Sequence, residues 1–268
     1  MTDNVAASAD TRASMASPLD RLPLSWQRVL ALSGLAFAVL LIFGWFLSGG
    51  DSPDYLASDE AWVAWADANR LKSGVGAFLM LLAGFALLHF AGTIRSVLGS
   101  AETTVAGSAE LARIAYAGAV VGAASLTTAI VMIGAASSVG GAADPVVSKA
   151  VVFASAGPYM VAAMGFAALL GSAGVLTLRS GVFARWTGVV ALIGAVSFLI
   201  TFMTLVAGMG VDSVFGYGFL PGILALAIWS IATSIATYRA VTPIARQLDP
   251  NRAGAVAHGV GDSANLGR

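Results

Sequence analysis

The chain has 268 residues, of which 58% are hydrophobic and only 10% are charged, and its mean hydropathy is +0.85. A soluble domain carries about 25% charged residues, so this chain has too few to cover a water-facing surface. The formal net charge is zero and Cys is absent. The composition therefore disfavours nucleic acid as a partner and excludes disulfides, thiolate metal sites and a Cys nucleophile.

Six long apolar segments follow a polar N-terminal stretch. Each reaches the ~20 residues that a helix needs to cross a ~30 Å hydrocarbon core. The sequence thus predicts an all-α, polytopic membrane protein with a six-helix transmembrane domain at 27–240, between disordered cytoplasmic tails at 1–26 and 241–268. The predicted spans are 27–48, 72–96, 112–137, 147–177, 183–208 and 216–238.

The distribution of basic residues predicts the orientation of the spans. Eleven of the 14 Lys and Arg residues lie in the two tails, in the second and fourth connections or at the span ends beside them, all on one side of the predicted membrane. Because basic residues are enriched in cytoplasmic loops, we expect both termini to be cytoplasmic.

The connection between the first two predicted spans, DSPDYLASDEAWVAWADANR, combines acidic and aromatic residues. Ser58 can act as a helix N-cap, and Asp59 and Glu60 follow it in the first turn, where the helix dipole favours anions. Trp62 and Trp65 share one helix face. This pattern predicts a short interfacial helix on the outer surface, whose tryptophans either anchor it at headgroup level or form a ligand lid.

The stretch Val-Phe-Gly-Tyr-Gly at residues 214–218 resembles the Thr-Val-Gly-Tyr-Gly filter of potassium channels. A selectivity filter needs a preceding pore helix and four copies around an axis. Only five residues separate the predicted fifth span from Val214, too few to form that helix. The stretch is therefore interpreted as an outer turn that leads into the sixth span.

The middle parts of the spans contain few ionisable side chains. No Asp, Glu, Lys or Arg lies near the middle of a span, and no His-x-Glu or HExxH motif is present. The sequence therefore predicts no catalytic residue, no metal ligand and no cofactor.

Among Asp, Glu, Lys, Arg and His, His89 is the only residue that lies away from the ends of a predicted span. It lies at a depth similar to the lower half of a polar stripe on the sixth span. The candidate intramembrane polar site is therefore His89 with Ser234 and Thr237. It is interpreted either as an interhelical hydrogen bond or as a proton-relay or ligand site.

Further polar residues lie in the fourth and fifth spans. Pro158 should bend the fourth span and free a backbone carbonyl near mid-membrane. These residues indicate either ordinary helix packing or a shallow outer cavity, and the candidates for the cavity are Ser155, Tyr159, Thr201 and Thr204. In the third span, Gly118-x-x-x-Gly122 predicts a close contact between helices.

Two pairs of segments resemble each other within the chain. GFALLHFAGTIRS is similar to GFAALLGSAGVLTLRSG, and ARIAYAGAVVGAAS is similar to ARWTGVVALIGAVS. A parallel repeat of helix pairs 2–3 and 4–5 would account for this likeness. Chance alignment of segments rich in Gly, Ala and Leu is the alternative.

The segment DEAWVAWADANRLKSGVGAFLMLLAGFALLHFAGTIRSVL, with the later LRSGVFARWTGVVALIGAVS, resembles a widespread group of uncharacterised six-span membrane proteins of actinobacteria. The likeness covers about residues 50–205. It implies six spans and a multi-pass location in the bacterial cytoplasmic (inner) membrane. It implies no particular biochemical activity.

Three functions stay open at this point. The first is a non-enzymatic membrane protein that acts through interactions, as a homo-oligomer or beside a membrane partner protein. The second is a small-molecule permease or lipid-binding protein with a cavity among helices 3–5, and membrane lipids are expected partners in either case. An intramembrane enzyme is the least favoured, because His89 alone makes no acid–base pair.

Overall fold

A computed structural model describes residues 24–48, 53, 57–106, 110–139, 144–203 and 214–247. These residues form six α-helices and no strand. Five of the helices are long and apolar enough to cross a membrane, and the fifth helix in the chain is shorter, with 17 residues. The chain is therefore a helical, multi-pass membrane protein. The helices are α1 (Leu24–Ser48), α2 (Asp59–Glu102), α3 (Leu111–Val139), α4 (Pro145–Ser180), α5 (Arg185–Thr201) and α6 (Val214–Gln247).

The six helices form a closed ring in chain order. Each helix packs against its neighbours in the sequence, α6 returns to pack against α1, and α2 also contacts α4. Large apolar side chains such as Phe43, Phe78 and Leu199 are exposed on the outside. Such a surface fits a lipid environment, because a soluble protein rarely leaves an apolar surface of this extent uncovered.

Aromatic side chains fill the inside of the ring. Phe219 contacts Tyr159 and Phe198, with ring centroids 5.6 and 6.0 Å apart. Further along α6, Trp229 packs edge-on against Phe90 at 5.7 Å. All five side chains are buried. At these two levels the interior is packed with side chains, in the edge-on geometry that aromatic pairs prefer.

Glycines allow a close contact between helices at the interface of α3 and α4. A methyl group at Gly118 would lie 2.5 Å from the carbonyl oxygen of Gly165, and one at Gly165 would lie 2.5 Å from the amide nitrogen of Gly122. Only hydrogen fits at these positions. The Gly118-x-x-x-Gly122 pattern thus meets a third glycine on the neighbouring helix, as small residues at a membrane helix interface permit.

Helix α2 differs from the prediction, because it includes the expected interfacial helix. It runs without a break from Asp59 to Glu102, so its 44 residues span about 66 Å at the rise of an α-helix. Ser58 caps it by accepting a hydrogen bond from the amide of Ala61 at 3.3 Å. Hydrogen bonds from the backbone and from Ser58 lower the pKa of Glu60 in the first turn. The tryptophan segment is therefore the first part of a long helix rather than a separate one.

Helix α6 also begins earlier than predicted. The Val-Phe-Gly-Tyr-Gly stretch forms the first turns of this helix, so the predicted outer turn at 214–218 is absent from the described backbone. A helix commits its carbonyls to its own hydrogen bonds, so this stretch does not offer the carbonyl ring of a selectivity filter. Gly218 packs closely against Ser197 and Thr201 of α5.

The helices also extend beyond the predicted domain boundaries at both ends. Helix α1 begins at Leu24, inside the predicted N-terminal tail, and α6 ends at Gln247, inside the predicted C-terminal tail. The remaining parts of both tails lie outside the described residues.

One ion pair joins distant parts of the chain at the start of α2. The Nζ atom of Lys149 donates hydrogen bonds to Oδ1 of Asp59 and to the carbonyl oxygen of Ala57, each at 2.8 Å. The two charged side chains are 22% and 36% exposed. This contact joins the beginning of α4 to the N-terminal end of α2.

Replacing Asp59 with Asn is expected to lower the free energy of unfolding in detergent by about 1 kcal/mol, near the upper limit for a partly exposed ion pair. The matched control is Glu110→Gln, because Glu110 pairs locally with Arg113 at 2.8 Å and both side chains are more than half exposed. That change should cost about 0.3 kcal/mol. A control cost as large as that of Asp59→Asn would contradict a role for Lys149 in joining the two helices.

Candidate functional site

A cavity of about 570 Å³ lies at the end of the bundle where α2 connects to α3 and α4 connects to α5. We call this the basic end, because Arg95, Arg113, Arg179 and Arg185 lie near these connections. The start of α1, the last turns of α2, the α4–α5 turn and the end of α6 form the walls. This hydroxyl cavity is lined by Gln27, Thr93, Ser96, Val97, Ser100, Ala101, Thr104, Ser180, Val182, Phe183, Ala236, Thr237 and Ala240.

Six of the lining residues carry hydroxyl groups, and each hydroxyl donates to a nearby carbonyl of its own chain segment at 2.7 to 3.3 Å. A hydroxyl has one hydrogen to donate and two lone pairs that accept. Since the hydrogens are committed to the backbone, the cavity wall presents mainly acceptors. The six residues are Thr93, Ser96, Ser100, Thr104, Ser180 and Thr237.

The described residues of the wall are also uncharged. The arginines nearby make other contacts, since the guanidinium of Arg95 lies over the ring of Tyr116 at 5.1 Å and Arg113 pairs with Glu110. A wall of neutral acceptors favours ligands rich in hydrogen-bond donors. The surrounding positive charge disfavours cations among such ligands. The cavity thus fits an uncharged, donor-rich molecule.

Buried polar atoms continue from the cavity into the bundle along α6. Thr237 lines the cavity. Thr233, Ser234 and Ser230 follow it on the same face of α6, and these three residues have no exposed surface. Thr233 donates to the carbonyl of Trp229 at 2.7 Å, but the hydroxyls of Ser230 and Ser234 have no partner among the described residues. Buried hydroxyls without a partner are uncommon, and sites of this kind often hold ordered water.

The structure does not bring His89 together with the stripe on α6. The imidazole is exposed, its Nδ1 atom lies 2.9 Å from the carbonyl oxygen of Phe85, and the two rings are 4.4 Å apart. Of its predicted partners, Thr237 donates to the carbonyl of Thr233, and the hydroxyl of Ser234 lies against Gly34. The inward face of α2 instead carries Leu87, Phe90, Ala91 and Ile94.

The predicted outer candidates make packing contacts. Ser155 donates to the carbonyl of Val152 at 2.5 Å, and Thr201 donates to that of Ser197 at 3.2 Å, and neither residue is exposed. The ring of Tyr159 is buried against Phe219. Thr204 lies outside the described residues. Pro158 lies within α4, which continues on both sides of it.

The sequence prediction does not include the residues on the α2 side of the hydroxyl cavity, because the predicted second span ends at residue 96. Ser96, Ser100 and Thr104 recur every four residues, and such spacing places hydroxyls on one helix face. Extending the helical period through the Arg95 region would have shown this row.

The described residues contain no group of three or more His, Cys, Asp or Glu side chains that could hold a metal ion. Comparisons with protein families, curated proteins and solved structures gave no match to this chain. Any conclusion on function therefore depends on the geometry of the chain itself.

Proposed function

We propose that this chain is a six-span membrane protein that binds an uncharged, polyhydroxylated molecule in the hydroxyl cavity. The observation that carries the proposal is the row of hydroxyl groups that donate to backbone carbonyls and keep lone pairs to accept hydrogen bonds from a ligand. The cavity volume of about 570 Å³ lies within the usual range for small-molecule sites. This geometry favours the permease or lipid-binding hypothesis over the interaction hypothesis, with the cavity among α1, α2 and α6 rather than among helices 3–5.

Two features support six spans rather than five. Helix α5 lies between α4 and α6 in the ring, so it runs beside helices that are long enough to cross a membrane. Its 17 residues cover about 26 Å, close to the thickness of the hydrocarbon core. An even number of spans puts both termini on one side, and the arginines of the basic end favour the cytoplasm of a bacterium for that side.

The parallel repeat, the homo-oligomer or membrane partner protein and the resemblance to the actinobacterial group stay predictions. The proposal does not depend on them.

Single cysteines can test the cavity, because the natural chain contains none. In a Ser100→Cys variant in phosphatidylcholine nanodiscs, myo-inositol is expected to slow maleimide labelling severalfold, since the bound molecule covers the thiol. The matched control is Ser138→Cys, at the far end of α3, where Ser138 is exposed and also donates to its own helix. Its labelling should not change.

Glycine betaine at equal concentration serves as the ligand control, because it has no hydrogen to donate and should give no protection. Equal rates with and without inositol, or equal protection by betaine, would refute the proposed function. The same two variants test the orientation: in intact cells an impermeant maleimide should label Ser138→Cys and leave Ser100→Cys unmodified. The reverse pattern would invert the topology.

A further inference from the structure

A second concave surface lies at the basic end, on the outside of the ring between α5 and α6. We call it the lateral groove, and its volume is about 530 Å³. Its floor and walls are mainly apolar, and several of its side chains are exposed on the lipid-facing surface, including Ile228, Ile235 and Trp186. The groove is lined by Phe183, Ala184, Trp186, Thr187, Ile228, Ile231, Ala232, Ile235, Ala236 and Arg239.

The packing of α5 against α6 explains the position of the groove. Away from the basic end the two helices touch through glycines: a methyl group at Gly194 would lie 2.9 Å from Cβ of Ala225, and one at Gly222 would lie 2.9 Å from the ring of Phe198. Toward the basic end, Ile231 and Ala232 of α6 are only half-buried. The helices are therefore closely packed at one end and leave an apolar recess at the other.

Two residues give the groove a polar end. Arg239 lines it and is exposed, and Trp186 lines it with 54% of its surface exposed. Tryptophan is enriched at headgroup level, and an arginine near the membrane surface attracts anionic lipid. An apolar recess that ends at an arginine is complementary to an acyl chain attached to a phosphate.

The lateral groove and the hydroxyl cavity share part of their walls. Phe183 and Ala236 line both, one from the α4–α5 turn and the other from α6. Phe183 is buried, whereas Ala236 is exposed. A molecule that extends past these two residues would have its polar part among the hydroxyls and its apolar part at the membrane.

We infer that the cavity and the groove together form one site for a phospholipid with a polyhydroxylated headgroup. The headgroup hydroxyls donate to the acceptors of the hydroxyl cavity, the phosphate lies by Arg239, and an acyl chain lies along Ile228, Ile231 and Ile235. This inference rests on the proposed function, because it names the molecule that carries the polyhydroxyl group.

The chemistry of other common headgroups fits less well. A choline headgroup has no hydrogen to donate and places a cation near the arginines of the basic end. A serine headgroup has an anionic phosphate and an ammonium that can donate, but its carboxylate would meet the acceptor wall of the cavity and its cation would lie near the arginines of the basic end. An inositol headgroup has a ring of hydroxyl donors and an anionic phosphate. Phosphatidylinositol is therefore the probe, with phosphatidylcholine and phosphatidylserine as controls.

The first measurement is the lipid retained by the protein after extraction from nanodiscs of mixed composition, read by native mass spectrometry. Phosphatidylinositol is expected to be enriched over both controls. Arg239→Gln should reduce the enrichment over phosphatidylcholine about fivefold, the usual contribution of one basic residue near anionic lipid. Arg113→Gln is the matched control, because it removes a cation from the same end but from neither concave surface, and it should have no effect.

The second measurement tests whether the two surfaces act as one site. Phosphatidylinositol should protect Ser100→Cys from maleimide in the wild-type background, and adding Ala236→Phe should abolish this protection by filling the shared wall. Leu224→Phe, on the exposed face of α6 away from the groove, should leave the protection intact.

Equal retention of the three lipids would overturn the inference, and so would protection that survives Ala236→Phe. If free myo-inositol protects Ser100→Cys but phosphatidylinositol does not, this inference fails and the proposed function stands. If neither protects, both fail.

Discussion

Gly165→Ala is expected to lower the free energy of unfolding by about 3 kcal/mol, at the upper end of the usual cost of overpacking. The added methyl group would lie 2.5 Å from the amide nitrogen of Gly122 and 2.6 Å from the carbonyl oxygen of Gly118. Both obstacles are backbone atoms, so no side chain can turn away to make room. Helices α3 and α4 would have to separate along their whole contact. Unfolding in mixed detergent and SDS measures the change.

The control for this substitution lies on the same helix. Gly157 is exposed, and a methyl group there would meet no atom within 4 Å. Gly157→Ala should therefore leave stability unchanged or raise it slightly, because alanine favours a helix more than glycine does. A similar loss at both positions would show that helix packing is not the cause.

Trp229→Ala is expected to cost about 4 kcal/mol, as for other large aromatic side chains removed from a packed interior. The indole is fully buried and contacts Phe90 edge-on at 5.7 Å. Its removal would leave a void between α2 and α6 that the surrounding ring of helices cannot close. Thermal unfolding in detergent, followed by loss of helical circular dichroism, would report the change.

Two further variants show whether packing is the cause. Trp229→Phe keeps an aromatic ring and removes an indole N–H that has no partner among the described residues, so it should cost less than about 1.5 kcal/mol. Trp26→Ala removes an indole that is 60% exposed, and it should have little effect on stability. Equal losses for Trp229→Ala and Trp26→Ala would contradict a packed interior at this level.

Much of the helical architecture could be predicted from the sequence, because uninterrupted apolar runs of sufficient length have few alternatives in a membrane. The limits of the helices were less certain. The predicted start of the second span at residue 72 rests on a change in polarity. The helix does not begin there, because no proline or turn interrupts it after the Ser58 cap. Helix α2 therefore includes the segment with Trp62 and Trp65.

The candidate site is harder to predict, because depth in the membrane does not give the angle of a residue around its helix. The predicted pairing of His89 with α6 rests on depth alone. Leu87, Phe90 and Ala91 face inward. His89 instead lies on the exposed side of α2 with Phe85. The hydroxyl cavity depends on three helices and a turn that converge at one end, and the spacing within any one segment does not specify such convergence.

The closed ring also determines when the site can exist during synthesis. In the folded chain, helices α1 to α5 each contact the next helix in the sequence, so most interfaces can form in the order of translation. The contact of α6 with α1 joins the first and last helices, and it must wait until the whole transmembrane region has been inserted. Thr237 and Ala240 of α6 form part of the hydroxyl cavity wall. A nascent chain that lacks α6 would therefore have a gap between α1 and α5 and no complete cavity, so the proposed ligand could bind only after membrane insertion has finished.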